Sequence, residues 1–239
     1  MATRQLPLDL PHADSRSRDD FLPAPANEAA LALIDSFPDW PAPLVALVGP
    51  EGAGKSHLAA IFAQASGAPV IAARDLLIPA LPHVLESGAL VVEDLGEGPL
   101  DEAALFHLIN LAKEQDARVL LTARRAPAVL AAAMATRDLG SRLRAMPTAV
   151  LGPPDDALLA AVAVKLFADR QIAPDEALLA YLLPRVERSI AGLREIIAAL
   201  DSEALARKRP LTRALASELL RARGVALAAT APGAPDLTD

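Results

Sequence analysis

A chain of 239 residues without cysteine excludes a disulfide framework, a thiolate metal site and a thiol nucleophile. Its formal charge of −7 argues against autonomous binding to nucleic acid through bulk electrostatics, so a role on DNA would run through a protein partner. Residues 1–11 lack the apolar stretch of a signal peptide, and the longest apolar runs, such as 126–135, are too short to span a bilayer, which predicts a cytoplasmic protein with no membrane partner.

Residues 1–20 are polar and proline-bearing and read as a flexible segment. Within it, Gln5-Leu6-Pro7-Leu8-Asp9-Leu10 sets a glutamine amide beside three leucines. Such a segment can seat Gln5, Leu6, Leu8 and Leu10 in a preformed apolar pocket of a partner while ordering only a few residues. Packing of the same leucines within the chain is the alternative.

Strand-like runs then alternate with amphipathic segments, at 44–48, 70–72, 90–92, 119–122 and 148–151, the pattern of a parallel α/β sheet. After Gly152 the strand pattern stops, and helices are expected over 155–170, 174–183, 190–208 and 211–223. Pro174 suits the first turn of a helix, while Pro184 and Pro210 mark stops. The predicted organisation is therefore an α/β nucleotide-binding domain over 21–152, an all-α domain over 153–227 and a disordered tail over 228–239.

The first strand leads into Gly49-Pro50-Glu51-Gly52-Ala53-Gly54-Lys55-Ser56, which fits G-x-x-x-x-G-K-[ST] in its expected context after a buried strand. The glycines let successive backbone N–H groups curl around a polyphosphate, Lys55 supplies a point charge, and the Ser56 hydroxyl can ligate Mg²⁺. A run of apolar residues ending in Glu93 and Asp94 follows, where carboxylates can hold a magnesium shell and orient water. Glu93 is the expected metal-side acid, and strand alternation gives the two acids different roles. The fourth strand ends on Thr122, which can sense a γ-phosphate or position water, or be an ordinary strand-end hydroxyl. Arg142 and Arg144 precede the last strand; a solvated charged helix and recognition of a neighbour's phosphate or carboxylate are both open.

Taken together, the phosphate loop, the strand ending in Glu93-Asp94, the tip Leu121-Thr122-Ala123-Arg124-Arg125-Ala126-Pro127, the segment Asp138-Leu139-Gly140-Ser141-Arg142-Leu143 and the helical end resemble AAA+ ATPases of the replication-initiator DnaA group, and among them the regulatory members that inactivate the initiator. The resemblance runs from Gln5 to Leu220. It implies a five-stranded parallel P-loop sheet with a small helical lid, ADP or ATP with Mg²⁺ as cofactors, and weak or no turnover of the chain's own nucleotide. Arg142 falls where this group carries its arginine finger, which would act with Glu93 and Asp94 as the catalytic set, the finger reaching ATP bound by DnaA. Arg194 is the lid arginine implied by the Leu193-Arg194-Glu195-Ile196 pattern, although an ungapped comparison places Ala191 there. Gln5 to Leu10 looks like the motif that docks such proteins on the DNA polymerase sliding clamp, with Asp9 departing from its simplest form. The implied partners are the clamp and DnaA; DNA would be met only through the clamp, and self-association is allowed. Glu93 stands where the group more often has aspartate, which predicts indirect or weaker metal geometry. Nothing in the sequence reads as an origin-recognising helix-turn-helix after the lid, so a negative regulator of initiation is expected rather than an initiator. A DnaC-like helicase loader and a small-molecule kinase are the alternatives.

Overall fold

The computed structural model describes residues 17–223. Five parallel strands, β1 (Leu44–Val48), β2 (Val70–Ala72), β3 (Ala89–Leu95), β4 (Arg118–Ala123) and β5 (Thr148–Val150), form one sheet in the order β2-β3-β4-β1-β5. The runs Leu44–Val48 and 119–121 are apolar at successive positions because both faces of the sheet are covered. Alternation then divides them. Leu44, Ala46, Val48, Leu90, Val92, Val119 and Leu121 join one core, and Val45, Leu47, Val91 and Leu120 join the other.

The helices that cover these faces are α1 (Glu28–Asp35), α2 (Lys55–Ser66), α3 (Leu81–Val84), α4 (Glu102–Glu114), α5 (Pro127–Leu130) and α6 (Arg137–Arg144). One core buries Leu105 and Leu108 of α4 with Leu139 and Leu143 of α6; the other buries Leu31 and Ile34 of α1, Leu58 and Phe62 of α2, and Trp40. Each fully buried leucine or phenylalanine contributes roughly 1.5–3 kcal/mol by leaving water. Local signals set the ends: the Asp101 carboxylate accepts the Ala104 N–H at 3.0 Å and starts α4.

Four further helices, α7 (Asp156–Asp169), α8 (Glu176–Leu182), α9 (Ile190–Arg207) and α10 (Arg213–Ala222), follow the sheet. The chain divides into two compact units, one running to Leu158 and including Ser189–Ala191, the other comprising Leu159–Arg188 and resuming at Gly192. The second unit has its own core of Phe167, Leu178, Leu182, Leu193, Ile197, Leu200 and Leu220. Pro174 lies outside α8, whose cap is Asp175: its carboxylate accepts the Leu178 N–H at 2.6 Å, so capping rather than the proline sets the helix start.

Residues 17–20, assigned from sequence to the loose segment, are tied down: Arg18 forms a bidentate pair with Asp35, at 2.9 and 2.7 Å, and Phe21 is buried beside them. The Gln5 to Leu10 motif and the 228–239 tail lie outside the described residues. No helix among those described is long and apolar enough to cross a membrane.

Candidate functional site

Strand β1 delivers the chain into the phosphate loop beside the tips of β4 and β5. Gly49 N–H donates to Ala123 O at 3.2 Å, and Leu151 N–H donates to Val48 O at 2.7 Å. A Cβ on Gly49 would stand 2.5 Å from Leu151 O, so only glycine lets the loop leave the strand here. Gly52 and Gly54 have φ of +73° and +104°, the left-handed region that lets the loop curl. Within the same unit, Ile190 N–H donates to Gly52 O at 3.1 Å, and Ser189 packs so closely that a Cβ on Gly52 would meet its Cβ at 2.6 Å.

Gly54 caps α2 through its carbonyl, which accepts the His57 and Leu58 N–H groups at 3.1 Å each, and it has no side chain to cover the helix start. Lys55 opens that helix, only 8% exposed, and its Nζ donates to Gly49 O at 2.9 Å and Pro50 O at 2.8 Å. Burial holds its pKa below the ordinary lysine value, and the charge of Arg124 lowers it further against the opposing pull of Asp94, Glu51 and Glu97. Ser56 follows on the exposed side of the helix.

The acids at the end of β3 are not related by simple strand alternation. The β3–β4 ladder shifts register between Val92 and Leu95, and Asp94 has φ of +60°, an irregular step after which Leu95 rejoins the ladder opposite Ala123. Asp94 is exposed while Glu93 is half-buried. Glu93 Oε1 is buried with no hydrogen-bond partner among the described residues, an arrangement that suits a cation or water brought in with a ligand. A hydroxyl such as that of Ser56 and a carboxylate such as that of Glu93 are donor types that magnesium takes beside phosphate, with the rest of its shell left to phosphate and water.

Thr122, 1% exposed, accepts the Asp94 backbone N–H at 3.1 Å, which gives its hydroxyl a definite structural duty. Arg142 lies on α6, where Nη1 donates to Asn110 Oδ1 at 2.8 Å, Nε to Asp138 Oδ2 at 3.3 Å, and the guanidinium stacks 4.8 Å from the Phe106 ring centroid. It is thus a braced cation on a helix face rather than a freely solvated one. Arg194 is half-buried on α9 in the second unit. The basic stretch near Arg207 is largely neutralised within that unit, with Arg207 on Glu203 and Glu218, Arg209 on Glu218 at 3.5 Å and Arg223 on Glu195 at 2.9 Å.

Three participants carry no role in the sequence reading. Arg124 joins Glu51 of the phosphate loop to Glu97 beyond β3, Asn110 braces Arg142, and Ser189 abuts Gly52. The doubled arginine after Thr122 was the one visible signal; the other two contacts join distant parts of the chain.

A five-stranded parallel sheet in this order, with the phosphate loop after β1 and acids ending β3, is the fold of the AAA+ P-loop ATPases. Solved structures share it. The chain is similar to domain III of the replication initiation protein DnaA from Thermotoga maritima, with a TM-score of 0.70 and 20% identity over 87% of this chain and 96% of that one. It is also similar to AMPPCP-bound DnaA from Aquifex aeolicus, with a TM-score of 0.65 and 16% identity over 86% and 68% of the two chains. The Thermotoga maritima RuvB Holliday junction branch migration motor gives 0.63 and 15% over 87% and 72%. At these identities the likeness is one of fold. No protein-family model and no curated protein sequence matches the chain.

Proposed function

We propose that this chain is a nucleotide-binding DnaA-like protein of the Hda type, a negative regulator of replication initiation that docks on the DNA polymerase sliding clamp and stimulates hydrolysis of ATP bound by DnaA. The observation that carries the reading is the braced Arg142, a cation held by Asn110, Asp138 and Phe106 on a fold otherwise equipped to bind nucleotide. A guanidinium prepared in this way loses little conformational freedom when it meets phosphate on a neighbour, which is what a finger acting in trans requires.

The chain's own ADP or ATP would lie in the 49–56 loop, with phosphates against the loop N–H groups and Lys55. Ser56 and Glu93 would hold Mg²⁺, which supplies charge neutralisation for the phosphates when bound. Lys55 would exchange its two carbonyl partners for phosphate oxygens, relieving the burial of its charge. Gln5, Leu6, Leu8 and Leu10 would enter the clamp pocket, and the AMPPCP-bound DnaA from Aquifex aeolicus supports nucleotide as the ligand class. Arg194 would contact the nucleotide from the lid.

The test is hydrolysis of radiolabelled ATP preloaded on DnaA in the presence of DNA-loaded clamp. The intact protein is expected to stimulate release of phosphate, while Arg142→Ala and a variant lacking residues 1–11 do not. Full stimulation by Arg142→Ala overturns the finger assignment, and stimulation independent of residues 1–11 overturns the clamp assignment.

A further inference from the structure

Helix α4 carries Glu102, Phe106 and Asn110 at intervals of four residues, one stripe along its side. All three are half-buried, between the buried Ala104, Leu105, Leu108 and Ile109 and the exposed Ala103 and His107. Each touches the segment that bears Arg142. Asn110 Oδ1 accepts Arg142 Nη1 at 2.8 Å, the Phe106 ring centroid lies 4.8 Å from its guanidinium, and both carboxylate oxygens of Glu102 accept the Ala135 N–H, at 3.1 and 3.0 Å.

Ala135 stands immediately before Thr136, the cap of α6, and Thr136 makes no side-chain capping hydrogen bond. The start of α6 is therefore fastened by a residue of another helix and not by its own cap. Leu139 and Leu143 seat α6 on the core, but apolar burial is non-directional and leaves the helix free to tilt and slide on its seat. A charge-assisted hydrogen bond is directional, and this one pins the end of α6 opposite to the turn that holds Arg142. One stripe on α4 thus grips both the first turn of the arginine-bearing helix and the guanidinium itself.

We infer that Glu102 is a positioning residue for Arg142, setting through the Ala135 N–H the direction in which α6 delivers the guanidinium to a neighbour. The inference rests on Arg142 acting as the finger on ATP bound by DnaA. Without the carboxylate, Phe106 and Asn110 still tether the guanidinium, while the helix behind it loses its anchor. Stabilisation of charge in a reacting group falls steeply with small displacements of the donor, so the loss appears in the rate at saturation rather than in docking.

Two readouts on the full-length protein test this: hydrolysis of ATP preloaded on DnaA, with DNA-loaded clamp and the protein titrated to saturation, and the NMR resonance of the Arg142 Nε–H, assigned by its loss in Arg142→Ala. Glu102→Ala is expected to lower the saturated rate about fivefold, the worth of one net hydrogen bond, with the half-saturating concentration changed by less than about twofold. It should also shift the Nε–H resonance. Glu102→Gln keeps an oxygen that accepts the Ala135 N–H, so it is expected to recover most of the rate and to return the resonance toward its wild-type position. A saturated rate or a resonance unmoved in Glu102→Ala, or a glutamine variant no better than alanine, overturns the inference, while stimulation by wild type leaves the finger standing. Wild-type protein that gives no stimulation overturns the finger reading and the inference with it.

Discussion

Thr122 Oγ1 accepts the backbone N–H of Asp94 at 3.1 Å, joining the tips of β4 and β3 where the ladder between them is irregular. The bond ties down the irregular step at Asp94, φ +60°, just before Leu95 rejoins the ladder opposite Ala123. Replacing Thr122 by valine keeps the volume but leaves that N–H unpaired, a loss of about 1–3 kcal/mol. Denaturant unfolding of Thr122→Val should show that loss, and Thr122→Ser should recover most of it. If valine is neutral, the hydroxyl is not what fixes the step.

Arg142 gives a prediction that separates positioning from chemistry. Asn110 touches the guanidinium and nothing further along the proposed path, so Asn110→Ala should reduce stimulation of DnaA-bound ATP hydrolysis partially, while Arg142→Ala abolishes it. Arg142→Lys should also fail, since an ammonium can neither share the Asn110 and Asp138 oxygens through a planar fork nor stack on Phe106 as a guanidinium does. Equal loss in Asn110→Ala and Arg142→Ala would place both residues in the reaction itself.

Lys55 should leave a signature in the pH dependence of stability. Its pKa is lowered in the folded protein, chiefly by burial, so between that value and 10.5 the unfolded chain binds more protons than the native one. Stability contributed by this site therefore rises with pH through that window, and the cost of burying the cation is fully present below it. Against Lys55→Met, wild type should gain unfolding free energy as pH climbs toward 10.5, with the difference flat below the folded-state value. A difference that moves the other way would mean that the two carbonyls at Gly49 and Pro50 stabilise the ammonium more than burial penalises it.

The central strands were legible because burial on both faces writes itself into uninterrupted apolar runs: β1 has the expected limits and β3 and β4 extend theirs by a few residues, while the half-exposed edge strands β2 and β5 showed only short apolar runs. The phosphate loop was legible for a related reason, since close approach to Leu151 and positive φ leave glycine little competition at Gly49, Gly52 and Gly54. What alternation could not supply was the irregular step inside β3. Asp94 leaves the extended conformation one residue before the strand ends at Leu95, with no glycine or proline at that position, and its N–H is held by a hydroxyl on another strand. The Arg124 and Arg142 contacts are hidden likewise, because a charge run says nothing of which distant carboxylate or amide it will meet. The helix start at Glu176 follows the Asp175 cap, a signal present in the sequence but outweighed in its reading by the proline at 174, and Arg213 follows the Thr212 cap.

Gly49→Ala isolates the role of close approach from that of backbone freedom, because this glycine has no positive φ to lose. The added methyl would meet the Leu151 carbonyl at 2.5 Å and the Leu151 Cβ at 3.1 Å. Leu151 cannot retreat cheaply: it is wholly buried, and its N–H is bonded to Val48 O at 2.7 Å. Overpacking of this kind costs about 1–3 kcal/mol. Thermal unfolding should therefore report a destabilised first unit, and nucleotide titration should report weakened binding, because the loop must shift away from the strand tip that aims it. Gly67→Ala is the control. Its φ is +71°, yet nothing lies within 4 Å of the added methyl, so it should lose some stability through backbone strain while leaving nucleotide affinity unchanged. Should both variants lose affinity alike, general destabilisation and not the Gly49–Leu151 approach governs the loop.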